Sequence, residues 1–242
     1  MTDNPDRYCT CFTAGDLSPE DQARLASHKA ALLRGAKWGV GDRITIRFLG
    51  DARARFGAAD GERLEKRVRD VALEWTKLAN LTFDFRVSAP TDIRIAFMDG
   101  RGSWSYLGKM CRQIREPEPT MNYGWLTPAS SDTDVRSVVL HEFGHAIGLI
   151  HEHQNPEGGI PWNRDAVIAD LSGPPNNWDL ATIENNMFKK YRPGEVAATT
   201  VDSNSIMMYP IPRAWTLNGF SAGFNSELSE TDRQFIRTNY PR

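Results

Sequence analysis

The sequence predicts an α+β fold, and three patterns carry that prediction. Apolar residues alternate at period two in separate short runs, one long stretch repeats them at helical spacing, and a second helical stretch bears histidines on one face. Near the start, Ser18-Pro19-Glu20-Asp21 reads as a helix start with Pro at the first helical position, and a polar helix follows to about Leu33. Arg34-Gly35-Ala36-Lys37 then reads as a hinge. Ile44, Ile46 and Phe48 alternate as a strand, and Leu64, Val68, Val71, Ala72, Trp75, Leu78 and Ala79 trace the apolar stripe of a long helix. Two more strands follow, on Leu81, Phe83, Phe85 and Val87 and on Ile93, Ile95 and Phe97, before residues 100–108 read as a loop. Val135, Val138, Val139 and Phe143 recur at helical spacing behind the candidate N-caps Ser131, Asp132, Thr133 and Asp134. Beyond His153 the chain is rich in Pro, Gly and Asn up to a helix around residues 178–190, and a last helix ends near Tyr240.

Composition bounds the partners. The 242 residues are 40% hydrophobic, enough for one domain with two lobes plus an N-terminal extension. A net charge of -2 with no long basic run gives no electrostatic footprint for nucleic acid or an anionic membrane. No stretch approaches the roughly 20 apolar residues that cross a bilayer, and residues 1–6 have neither the basic start nor the apolar core of a secretory signal. Peptides or proteins are the expected partners of a chain read as a monomer, and the compartment stays open between the cytoplasm, secretion of a chain from which the signal has been trimmed, and an export route that reads no such signal.

The chemistry concentrates in His141-Glu142-Phe143-Gly144-His145-Ala146-Ile147-Gly148-Leu149-Ile150-His151. A helix turns about 100° per residue, so His141 and His145 stack on one face and both rings reach a single ion. Glu142 swings to the side, where its carboxylate takes a proton from a metal-bound water without ligating the metal. Gly148, three residues after His145, suits the left-handed conformation that ends a helix, and that turn returns His151 to the ion. Three neutral imidazoles leave a fourth position for water, the arrangement of a catalytic rather than a structural zinc, and zinc there lowers the pKa of its water to about 7. His28 and His153 read as surface or supporting groups, with His153 as the reserve ligand.

These residues resemble the zinc signature of the metzincins, and His151-Glu152 directly after Gly148-Leu149-Ile150 is similar to the astacin branch of bacterial and fungal type. Ser205-Ile206-Met207-Met208-Tyr209 resembles the Met-turn of that branch, with Met207 as the floor under the zinc and Tyr209 as a zinc ligand or transition-state donor. The resemblance covers residues 38–241, including Leu228-Ser229-Glu230-Thr231-Asp232 ahead of the final helix. It implies a twisted mixed sheet with two long helices in an N-terminal lobe (about 37–148), a cleft with one catalytic Zn2+, and a largely irregular C-terminal lobe (about 149–242) ending in a helix. The implied activity is that of a zinc-dependent endopeptidase in which Glu142 is the general base. Residues 120–125 are similar to the edge strand that pairs with extended substrate in metzincins. Two departures stand out. Met208 occupies a position where astacins usually carry His, and 3 Cys cannot form the two disulfides of the animal enzymes.

The N-terminal extension, residues 1–36, holds Cys9, Cys11 and Phe12-Thr-Ala-Gly15-Asp16. Phe12 to Asp16 resembles the astacin propeptide segment whose Asp occupies the water position on zinc, and a thiolate of Cys9 or Cys11 would block it equally well. The expected device is a zymogen latch on Asp16, Cys9 or Cys11, released by cleavage near Arg34 or Lys37; free cysteines, or a bridge to Cys111, are the plainer alternative. The resemblance also implies that Glu152 pairs with the newly exposed N-terminus, against a plain surface carboxylate. Arg213 is a candidate for favouring acidic substrate side chains, against a solvated Arg. Two rival readings are a catalytically silent zinc-dependent peptide-binding module, and a zincin in which Glu184 replaces His151 as third ligand.

Overall fold

The computed structural model describes residues 9–12, 36–156, 158–174, 176–191 and 201–242. The expected helix at residues 18–33, His28 and Asp16 lie outside them. In chain order the main elements are β1 (Cys9–Phe12), β2 (Arg43–Phe48), α1 (Asp51–Phe56), α2 (Ala58–Leu78), β3 (Thr82–Phe85), β4 (Ile93–Ala96), β5 (Ser103–Tyr106), β6 (Met121–Tyr123) and α3 (Asp132–Ala146). After α3 come α4 (Arg164–Ser172), α5 (Leu180–Ile183) and α6 (Glu230–Asn239).

The sheet has six strands in the order β1-β5-β6-β4-β2-β3. Neighbours run parallel except at the β5–β6 pair, which is antiparallel. β4 is buried at every position, as expected of a strand covered on both faces. The expected apolar stripe of α2 is present: Leu64, Val68, Ala72 and Trp75 are fully buried. Burying each of the larger side chains stabilises by roughly 1.5–3 kcal/mol. Trp75 also donates its indole N–H to the Leu140 carbonyl (3.1 Å), tying α2 to α3.

Three expectations are corrected. Residues 100–108 are not a loop: they contain β5, a four-residue strand that its flanking glycines and polar Ser-Trp-Ser-Tyr sequence conceal. Residues 120–125 are therefore not the edge strand, because β6 lies inside the sheet between β4 and β5. β5 is the edge that the mixed sheet of residues 36–242 presents, and β1 pairs along its outer side in parallel from Cys9–Ser103 to Phe12–Tyr106. The segment after His153 is more helical than its Pro, Gly and Asn content suggests. It contains α4, capped by the Asn163 side chain on the Ala166 N–H, while α5 and the π-turn it runs into at Glu184–Phe188 occupy the expected helix at residues 178–190.

The last helix matches expectation, and a capping box explains its start. The Ser229 hydroxyl accepts the Asp232 N–H, and the Asp232 carboxylate accepts the Ser229 N–H. Among the described residues no helix is long and apolar enough to cross a membrane.

Candidate metal centre

α3 carries the first two histidines and Glu142, and its two ends are secured differently. At the start, the Ser131 side chain accepts the Asp134 N–H at 3.1 Å. At the end, Leu149 N donates to Gly144 O (2.9 Å) and Gly148 N to His145 O (2.8 Å), the paired bonds of a Schellman motif. Gly148 has φ +103°, a conformation that an L side chain resists, so glycine is required there. Carbonyls that the helix end would leave unpaired are taken by distant side chains: Trp38 donates its indole N–H to Ala146 O (2.8 Å), and the Tyr240 hydroxyl donates to Ile147 O (2.6 Å).

That turn returns His151 to the helix face. His145 Nε2 lies 3.1 Å from His141 Nε2 and 3.0 Å from His151 Nε2, and all three rings are buried. His141 donates from Nδ1 to Ile206 O and His145 from Nδ1 to Leu149 O, each at 2.8 Å. Those bonds fix the tautomers and turn the Nε2 lone pairs inward. Acceptors facing one another at 3 Å cannot hydrogen-bond together, whereas nitrogens around one tetrahedral zinc stand roughly 3.3 Å apart. The donor set therefore fits one zinc ion, and among the described residues this trio is the group that could hold a metal. Burial pushes His141 down to about 4 and holds His145 and His151 well below the usual imidazole range. Neutral rings are what a metal requires.

Glu142 is completely buried beside the trio. Tyr209 is buried too, its ring centroid 4.2 Å from that of His151 and 6.1 Å from that of His141. Met207 lies under the helix at Gly144, where an added Cβ would stand 2.4 Å from its sulfur. Gly144 is thus a site residue that motif spacing alone does not reveal; the available signal was a glycine in a helix interior, which costs about 1 kcal/mol unless something needs the space.

The Met-turn is aimed by Asp232. Its carboxylate accepts the Ser205 hydroxyl (2.7 Å) and the Ile206 N–H (2.8 Å), so the cap of α6 fixes the same residue whose carbonyl holds His141. Glu152 N donates to Met207 O (3.0 Å), joining the His151 turn to the Met-turn.

Other expected residues fall as follows. His153 is not on the surface and is not a ligand: it is buried, bonded through Nε2 to Asn186 O at 2.7 Å, with its ring stacked on His151. It is a supporting group. Glu184 is no third ligand, since its half-exposed side chain bonds Arg164. Arg213 is exposed, with its guanidinium beside Gly219. Glu152 is no plain surface carboxylate; it accepts the Asp202 N–H (3.2 Å) and the Asn155 amide (3.3 Å), and burial raises its pKa. Cys111 is a free buried thiol, pushed up to about 12 by burial, so it forms no bridge to Cys9 or Cys11.

A three-histidine site on a helix and its following turn, floored by a Met-turn and set below a mixed sheet, defines a metzincin-type zinc centre. The astacin peptidase family model matches residues 59–240, and the chain belongs to that family. It is 43% identical to a solved structure of myroilysin, with a TM-score of 0.81 over 87% of this chain and 98% of that one. Among curated proteins it is 30% identical over 92 residues to zinc metalloproteinase nas-27 of Caenorhabditis elegans, 38% of this chain and 19% of that protein. It is also 28% identical over 152 residues to blastula protease 10 of Paracentrotus lividus, 59% of this chain and 21% of that protein. The matches thus span about a fifth of those curated relatives.

Proposed function

We propose that this chain is a zinc-dependent endopeptidase acting on peptides or proteins. The observation that carries the reading is the convergence of three Nε2 atoms, two from α3 and one from the turn after it, with a fully buried Glu142 next to His141 in the helix. His141, His145 and His151 would hold the ion. Bound zinc supplies an acidified water and a Lewis acid for the scissile carbonyl. Glu142 takes the proton of the attacking water and returns it to the leaving amine. Tyr209 donates its phenol hydrogen to the oxygen that gains charge as the carbonyl becomes tetrahedral. Met207 and Gly148 act indirectly, Met207 by packing under the helix and Gly148 by turning the chain to His151. A silent peptide-binding module would need neither Glu142 nor Tyr209.

The test is Glu142→Gln assayed with zinc analysis and a fluorogenic peptide. Zinc should stay near one per chain while kcat/KM falls by about 10²–10⁴. Undiminished hydrolysis in that variant contradicts the assignment.

The latch extends the same reading. The parallel pairing of Cys9–Phe12 with Ser103–Tyr106 supports it, because an extended substrate would compete for that edge. In this proposal Asp16, Cys9 or Cys11 supplies the group that displaces the catalytic water, and cleavage near Arg34 or Lys37 removes it. Residues 1–242 and 36–242 should differ in hydrolysis rate by more than about 10-fold, as expected when a tethered segment competes at high effective concentration; equal rates remove the latch.

A further inference from the structure

Three imidazole rings surround Tyr209. Its ring centroid lies 4.2 Å from that of His151, 4.8 Å from that of His153 and 6.1 Å from that of His141. His141 and His151 belong to the metal trio, so coordination fixes their rings. His153 does not, and it is held from the other direction. Its Nε2 donates to Asn186 O (2.7 Å) in the π-turn, and the Trp162 ring stands edge-on to it, centroids 6.0 Å apart at 89°. The buried His153 ring also lies nearly parallel to that of His151, at 5.3 Å and 20°.

We infer that His153 is a positioning residue for Tyr209, a fixed ring face that keeps the phenol beside the metal ligands. The inference rests on the peptidase reading and adds a residue to its machinery. Backbone bonds of the Met-turn, Met208 N to Ser205 O and Glu152 N to Met207 O, set where the chain runs. They leave the first side-chain torsion of Tyr209 to its neighbours. A neighbour held by packing alone tolerates small rotations, whereas a ring bonded through Nε2 to a backbone carbonyl keeps its plane, because a hydrogen bond weakens steeply with angle. An apolar side chain would fill the same volume without that fixed plane. The requirement is strict: a misplacement on the order of 1 Å at a reacting group costs about 10²-fold in rate. A purely structural His153 would only fasten the turn after His151 to the π-turn, and its loss would then cost the same whatever residue stands at 209.

A double-mutant cycle separates the two roles. The full chain, His153→Ala, Tyr209→Phe and the double variant are saturated with zinc, zinc per chain is counted, and kcat and KM are measured on one fluorogenic peptide; a latent fraction common to the four chains cancels. Tyr209→Phe should lower kcat about 10²-fold, as for loss of one oxyanion donor. His153→Ala should lower it about 10-fold with KM changed less than about 3-fold and zinc still near one per chain, yet cost less than about 2-fold when added to Tyr209→Phe. Trp162→Ala loosens His153 without altering it, and should lower kcat about 3-fold, again only where Tyr209 is present. That variant decides the matter where His153→Ala fails to fold. Affinity for a phosphinate peptide, whose tetrahedral oxygens stand in for the attacked carbonyl, should follow the same pattern without turnover. Coupled phosphinate binding by a wild-type chain that hydrolyses no peptide would remove the peptidase reading and leave the positioning role standing. Losses that multiply in the double variant overturn that role, as does zinc lost from His153→Ala, which would place the effect on His151 instead.

Discussion

The region where the sheet meets α2 and the region around the Met-turn are held together by different kinds of interaction. Beside α2, Ile44, Ile46, Leu64, Val68 and Trp75 are all fully buried, and the sheet meets the helix across apolar area. Around the Met-turn, directed bonds dominate: Asp232 holds Ser205 and Ile206, Ile206 O orients His141, and Met207 O accepts Glu152 N. Apolar packing resists loss of volume and is indifferent to rotation by a few degrees, whereas a hydrogen bond fails steeply with angle. The packing of the sheet on α2 therefore carries stability, and the bonds around the Met-turn carry the aim of the metal ligands.

Three substitutions sharpen that contrast. Leu64→Ala should have the largest effect on stability, about 2–5 kcal/mol by urea unfolding, with zinc affinity of the folded protein unchanged. A parallel loss of zinc affinity would show that the two regions are not separable in this way. Asp232→Ala should cost about 1–3 kcal/mol, because the Ser205 hydroxyl and the Ile206 and Ser229 N–H groups lose their acceptor. Unlike Leu64→Ala, it should weaken zinc binding by roughly 10-fold through His141, measured by chelator competition. Tyr240→Phe should be mildest, about 1 kcal/mol in thermal unfolding, since it removes a single donor from Ile147 O at the end of α3.

Much of the fold was legible wherever the signal is local. The stripe on α2, the strands β2 to β4, the cap and turn of α3 and the three histidines are all written within a few residues of themselves. β5 was hidden because four residues between glycines carry almost no periodicity, and that displaced the edge strand onto β6. α4 was hidden behind a Pro- and Asn-rich approach, although Asn163 is the sort of residue that starts a helix. The contact between Gly144 and Met207 joins positions far apart in the chain, so only the fold places them together. His153 looked peripheral for the same reason: its partner, Asn186 O in the π-turn, lies 33 residues further along the chain.

The chemistry depends on one zinc ion held by His141, His145 and His151. Crystals of the full chain grown with zinc, measured on both sides of the zinc absorption edge, test this most directly. A single strong anomalous peak is expected about 2.0–2.1 Å from each of the three Nε2 atoms. Rings turned apart with no peak between them, even after zinc soaking, would contradict it.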